Sequence, residues 1–264
     1  MIALLLIVGI LGLAIGSFLN VVIWRVPRRE SVNHPPSSCP ICGNRIRWRD
    51  NIPVLSWLLL RGRCRDCGEA ISWRYPAVEA GTALLFVLVA LETGFELPGV
   101  AALPAFLYLG AIAVALSLID IDTHRLPNVI VLPSYVVAFV LLAGATMATG
   151  DGGALVRAAI GAAAMFLLYF LLVLVYPRGM GLGDVKLAGV LGLYLGWLGW
   201  GELAVGAFAA FLLGGIYSVG LLVARKAGRR SGIPFGPWMF AGALLSTFFG
   251  NEISVGYLAF VGIV

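Results

Sequence analysis

Eight long apolar runs succeed one another along this chain, near residues 3–24, 77–93, 99–119, 129–148, 154–175, 185–200, 203–224 and 233–249. A helix that crosses the hydrocarbon core of a bilayer needs about 20 predominantly apolar residues, and these runs are on that scale. Residues 252–264 are apolar too but short, and read as a partial span or a packed tail. Charged residues make up 12% of the chain and hydrophobic ones 61%, whereas soluble domains carry roughly 25% charged residues. That excludes a soluble domain with a single anchor. The expected fold class is all-α: a polytopic transmembrane helix bundle of about eight spans.

The first run reads as a transmembrane helix, not as a cleaved signal peptide. Met1-Ile2-Ala3 supplies no basic segment ahead of it, and the run is long for a signal peptide's apolar core. Gly9, Gly12 and Gly16 suit close packing against another helix. Three regions are expected: a first helix at 1–24, a polar loop at 25–75 and a polytopic domain at 76–264. Ten of the 18 Lys and Arg lie in residues 25–75. Basic loops stay on the cytoplasmic side, so this loop is expected there. Counting spans forward brings 120–128, 176–184 and 225–232 to the same side. Each has basic residues: Arg125, Arg178, and Arg225, Lys226, Arg229 and Arg230. The opposite loops have none, although Arg157 lies just inside one span.

The polar loop holds all four cysteines, as Cys39-Pro40-Ile41-Cys42 and Cys64-Arg65-Asp66-Cys67. Two C-x-x-C knuckles on one short loop match a four-cysteine tetrahedral zinc site. Gly43 and Gly68 follow the knuckles and relieve the tight turns. A cytoplasmic loop is kept reduced, which argues against disulfides; a dithiol redox centre fits two knuckles less well than a metal does. Four thiolates leave no open coordination position, so the metal is expected to fold the loop and not to catalyse. Arg45, Arg47, Trp48 and Arg49 combine charge with an aromatic ring. Tethered between two spans, they are better placed for anionic lipid headgroups than for nucleic acid, which is not an expected partner.

Three acids stand at borders of apolar runs on the same expected face. Asp120 and Asp122 close one span, and Pro127 marks the break before the next. Asp184 follows Gly179, Gly181 and Gly183 and opens another span. The three glycines are expected to let the backbone turn tightly and come close to another segment. A carboxylate at the edge of hydrocarbon is costly and normally has a partner or a function. An Asp at a helix start also serves as a cap or dipole partner, which accounts for Asp184 alone better than for three acids together. Two carboxylates can hydrolyse a peptide: one, ionised, takes a proton from water, and the other, protonated, hydrogen-bonds the scissile carbonyl. Like charges close together share one proton.

A transporter or channel would use the same acids to bind a cation, but such sites usually lie at mid-span. A scaffold without chemistry leaves the Gly-Asp run unexplained. His34 and His124 have no Ser or Cys nucleophile motif beside them, and no H-E-x-x-H is present. The glycine run lacks the G-K-[ST] ending of a phosphate loop.

Several segments in order resemble one family, the bifunctional type IV prepilin peptidases (prepilin leader peptidase/N-methyltransferases). They are Gly16-Ser17-Phe18-Leu19-Asn20, Arg25-Val26-Pro27, the two cysteine pairs, Ser72 to Glu79, Asp120 to Asn128, Gly181-Leu182-Gly183-Asp184-Val185-Lys186 and Pro234-Phe235-Gly236-Pro237. The resemblance runs nearly end to end. Leu182 departs from it, many members having Gly there.

The resemblance implies a membrane aspartyl endopeptidase that removes the basic leader of prepilins or pseudopilins after a glycine. It also implies N-methylation of the new N-terminal residue with S-adenosylmethionine. The substrate has a basic leader and an apolar N-terminal helix, and the setting is the cytoplasmic face of a bacterial inner membrane, for a type IV pilus or type II secretion. The catalytic acids fall on Asp120 and Asp184, with Asp122 the rival for the first; Lys186, Gly181 and Gly183 are supporting candidates. The resemblance places the methyltransferase in the zinc loop and points to Gly62, Arg63 and Glu79. Glu30, Asp50, Asp66 and Glu69 are candidates to read the leader's charge.

Overall fold

In the computed structural model the described residues are 1–97, 99–177, 179–224 and 233–263. Arg178, Arg225, Lys226, Arg229 and Arg230, used above for topology, lie outside them. Nine α-helices occur among the described residues: α1 Ile2–Arg25, α2 Leu55–Leu59, α3 Arg74–Thr93, α4 Gly99–Thr123, α5 Asn128–Thr149, α6 Gly152–Val175, α7 Leu182–Leu198, α8 Trp200–Val223 and α9 Gly236–Phe260. The β-structure among them amounts to two isolated bridges, Ser38 with Arg45 and Arg63 with Ala70. The protein is a multi-pass helical membrane protein.

Eight of these helices are long, in register with the eight apolar runs. Among the described residues, six segments are long and apolar enough to cross a membrane: Ile2–Arg28, Arg74–Thr93, Gly99–Thr123, Asn128–Thr149, Gly152–Val175 and Trp200–Val223. The other two differ from a simple span. α7 has 17 residues, short for a crossing. α9 does not stop at residue 249 but continues through Asn251 and Glu252 to Phe260, so most of the short apolar tail is the end of one helix.

The chain forms two compact units, Met1–Phe95 with Phe106–Ala115, and Glu96–Ala105 with Leu116–Val264. In the first, α1 packs on α3. Lipid tails are as apolar as leucine, so helices in a bilayer associate through close packing and not through burial from water. The glycines of α1 serve that end. A Cβ on Gly12 would stand 2.6 Å from the Ala83 Cα, and one on Gly16 2.7 Å from the Glu79 Cα.

In the second unit α7 is the central helix, packed against α5, α6, α8 and α9. From Asp184 to Gly196 every residue but Lys186 is buried. A helix apolar on all sides belongs in a core, and one enclosed by protein need not match the bilayer thickness. Gly161 of α6 and Gly192 of α7 meet backbone to backbone: a Cβ on Gly161 would lie 2.5 Å from the Gly192 carbonyl oxygen.

Candidate active site and metal loop

Asp120 lies in the last turn of α4 and is 5% exposed. Its Oδ2 accepts a hydrogen bond from the backbone N–H of Gly236, the first residue of α9, at 2.9 Å. A helix start has unpaired amides that favour an anion, and α9 presents one to Asp120. A Cβ on Gly236 would lie 2.9 Å from that same oxygen, so any other residue there would displace the carboxylate.

Asp184 occupies the third helical position of α7 and is 8% exposed. Its Oδ2 accepts from the Gly181 N–H at 3.0 Å, while its own N–H donates to the Gly181 carbonyl at 3.1 Å. This is the carboxylate half of a capping box. The capping role is therefore real, and it occupies one oxygen of the carboxylate. Leu126, in the turn after α4, separates the two helix starts. Cβ atoms on Gly183 and Gly236 would stand 3.1 Å and 3.3 Å from its side chain. The charge of Asp120 acts on Asp184. Asp122 is exposed.

The glycines before Asp184 permit the close approach expected of them: Gly179 lies against the Tyr176 ring and Gly183 against Leu126. Neither Gly181 nor Gly183 has a positive φ. Lys186 reaches away from the acids. Its Nζ donates to Asn128 Oδ1 at 3.1 Å, and its carbonyl accepts from the Tyr135 hydroxyl at 2.6 Å. Both bonds tie α7 to α5. His124 follows α4 in the left-handed region, at φ 51.

In the loop, the two knuckles fold alike. Cys39 N–H donates to the Asn44 carbonyl and Gly43 N–H to the Cys39 carbonyl; Cys64 with Glu69 and Gly68 with Cys64 repeat both bonds. Gly43 and Gly68 have φ of 72 and 74 with open space where a Cβ would be, so backbone conformation is what requires glycine there. The likeness extends along the sequence as an internal repeat, C-x-x-C-G-x-x-I-x-W-R, which spans Cys39 to Arg49 and Cys64 to Arg74. The repeat is legible in the residues themselves.

The four Sγ atoms lie within 4.8 Å of one another, and those of Cys39 and Cys67 are 3.8 Å apart. Zinc–sulfur bonds of about 2.3 Å in a tetrahedron put sulfurs about 3.8 Å apart, so the donor set fits zinc. Hydrogen bonds from the Cys42 and Ile41 amides lower the Cys39 thiol to about 7, while burial and the neighbouring thiols raise Cys42 and Cys67.

Two acids proposed as readers of a basic leader are engaged within the loop. Arg65 pairs with both Asp50 oxygens and Arg47 with Asp66. The Arg65 hydrogen bonds hold the Asp50 carboxyl below its usual range.

Glu79 is buried in α3 and accepts from the Val54 N–H at 2.7 Å. Val54 is held at φ 61, a conformation that β-branched residues rarely adopt. Gly62 has φ 66 and lies against the Trp57 ring, whose Nε1 donates to the Ile71 carbonyl at 3.0 Å. Arg63 is exposed. A cleft of about 440 Å³ in this unit is lined by α1 residues between Ala14 and Arg25, by Val32, Asn33 and residues 35–37, and by Asn51 and Pro53. Gly62, Arg63 and Glu79 do not line it, so a methyl donor in that cleft would not touch them.

Fold and site together define a multi-pass helical membrane protein with two buried carboxylates gathered at helix ends and a four-cysteine loop. Residues 107–219 match the model of the type IV leader peptidase family, and residues 10–93 that of the bacterial peptidase A24 N-terminal domain. The chain belongs to the type IV leader peptidase family. It is 36% identical over 277 residues to a prepilin leader peptidase/N-methyltransferase of Pseudomonas putida, covering 96% of this chain and 93% of that one. To a protein of the same description from Aeromonas salmonicida it is 37% identical over 279 residues, with 96% and 93% covered. No solved structure matches the chain.

Proposed function

We propose that this protein removes the basic leader from type IV prepilins or pseudopilins after a glycine and methylates the new N-terminus with S-adenosylmethionine. The descriptions of its relatives support both reactions. The observation that carries the cleavage site is the matched setting of Asp120 and Asp184. Each is buried, each is held through one oxygen by a glycine amide, and the charge of Asp120 acts on Asp184. Such a pair shares one proton. The ionised member takes a proton from water as the water oxygen bonds the carbonyl carbon. The protonated member gives its proton to the carbonyl oxygen. Collapse of the tetrahedral intermediate breaks the C–N bond, and the amine leaves with a proton.

The substrate's apolar helix lies in the bilayer and its leader reaches the cytoplasmic face, where the arginine-rich loop holds to anionic headgroups. The chain then resides in a bacterial inner membrane, with residues 1–24 the first helix, 25–75 a zinc-folded loop and 76–264 the peptidase domain. Zinc held by Cys39, Cys42, Cys64 and Cys67 is structural. Gly62, Arg63 and Glu79 support methylation as positioning residues, through the shape of the loop.

The test is purified full-length protein with a peptide carrying a basic leader, a glycine and an apolar segment, and with labelled S-adenosylmethionine. Cleavage after the glycine and label in the product are expected, and Asp120→Ala or Asp184→Ala abolishes cleavage. An inert wild type, or a fully active Asp184→Ala, sinks the reading. Cleavage by Asp120→Ala together with its loss in Asp122→Ala moves the first acid to Asp122.

A further inference from the structure

One buried polar group of the second unit is not used by the proposed cleavage. Tyr169 of α6 is fully enclosed. Its ring packs on Phe211 of α8 at 5.2 Å and on Phe235 at 6.3 Å between centroids, and those two rings pack on each other at 5.4 Å. The phenol oxygen is buried and has no hydrogen-bond partner among the described residues. Enclosing a hydroxyl without a partner costs free energy, and a native structure rarely leaves one so without a reason. Phenylalanine would fill nearly the same volume without that cost, so packing alone does not account for tyrosine.

The phenol is connected to the acids through Phe235: its ring packs against Phe235, which directly precedes Gly236, whose amide holds Asp120. The hydroxyl is a donor without an acceptor in the free protein. A peptide carbonyl brought to the acids supplies one. The enclosed, low-dielectric setting makes such a bond stronger than it would be in water.

We infer that Tyr169 is a further catalytic residue of this site, its O–H donating a hydrogen bond to the peptide carbonyl oxygen as negative charge develops there. The inference rests on the reading of Asp120 and Asp184 as the cleaving pair. Tyr169 transfers no proton. As water bonds the carbonyl carbon, the carbonyl π pair moves onto oxygen, and the phenol stabilises that charge until the protonated aspartate neutralises it. The pair returns to re-form the carbonyl when the C–N bond breaks.

Tyr169→Phe in the full chain tests this, with wild type and Asp184→Ala alongside and the same leader peptide as substrate. Removing one donor to a developing oxyanion lowers kcat on the order of 100-fold. KM stays at the wild-type value and the thermal unfolding midpoint does not fall, because the free protein loses no hydrogen bond and sheds an unpartnered buried hydroxyl. Fluorotyrosine at position 169 keeps the hydroxyl and restores kcat to within a few-fold of wild type. A wild-type kcat in Tyr169→Phe overturns the inference and leaves the acid pair standing. Loss of thermal stability in step with kcat, or no rescue by fluorotyrosine, assigns the phenol a structural role and also overturns it. A wild type as inert as Asp184→Ala removes the cleavage reading, and this inference with it.

Discussion

Asp120 Oδ2 is held at 2.9 Å by the backbone N–H of Gly236, 116 residues further along the chain. The bond joins the end of α4 to the start of α9 and sets the direction of the carboxylate. It also explains why a glycine opens α9: the amide must come close enough to donate, and a side chain would occupy the space of the acceptor.

Gly236→Ala is therefore expected to move the Asp120 carboxylate. Its Cβ would stand 2.9 Å from Oδ2 and 3.3 Å from Leu126. Alanine favours a helix over glycine by about 1 kcal/mol, so insertion and fold should survive. A misplacement of about 1 Å can cost on the order of 100-fold in rate. Kinetics of leader cleavage check this; a kcat near wild type would show that the orientation of Asp120 is not critical.

Asp184 combines a cap with the proposed chemistry, and two substitutions separate them. Asp184→Asn keeps an oxygen to accept from the Gly181 N–H, whereas Asp184→Ala does not. Both should abolish cleavage. Only the alanine variant should lose the cap's contribution, about 1 kcal/mol, seen as a lower unfolding midpoint in detergent. Equal stability of the two variants would argue that the 3.0 Å bond contributes nothing.

The four sulfurs should carry one metal per chain. Elemental analysis of purified protein should find one zinc, and Cys39→Ser with Cys67→Ser should lose it. Metal binding and folding of such a loop are coupled, so hydrogen exchange across residues 25–75 should rise in that variant and stay unchanged in α7. Finding no zinc in protein purified without chelator would refute the metal assignment.

How far the sequence foretold this structure depends on the kind of interaction. The apolar runs mark the long helices because bilayer thickness imposes their length. Gly9, Gly12 and Gly16 mark the α1–α3 contact because small residues are what lets backbones approach. The cysteine spacing marks the knuckles. What escaped notice has no side-chain signature. The partner of Asp120 is a backbone amide, and no residue type announces an amide. Pro234-Phe235-Gly236-Pro237 was visible as a motif, but its role appears only when α9 folds back to α4. The glycines before Asp184 mark a close approach too, but which residues they approach, Tyr176 and Leu126, has no sign in the sequence. Tyr169 looked like one more residue of an apolar run, and its unpartnered hydroxyl exists only in three dimensions.

Glu79 and Val54 offer a test of how the loop is held. The Glu79 carboxylate accepts from Val54 N–H at 2.7 Å, and Val54 sits at φ 61. A hydrogen bond to a charged acceptor contributes roughly 1.5–3 kcal/mol, comparable with the roughly 1–3 kcal/mol that so sparsely populated a backbone conformation costs. Glu79→Ala should therefore free the turn, lowering the unfolding midpoint and raising hydrogen exchange in residues 51–60. Glu79→Gln, which keeps an acceptor oxygen, should recover most of the loss. Val54→Gly should relieve the strain and leave the loop at least as stable as in wild type. If Glu79 supports methylation by holding this turn, Val54→Gly should also restore part of the methyl transfer that Glu79→Ala loses. A double variant that transfers no more label to the product than Glu79→Ala alone would mean that Glu79 acts by another route.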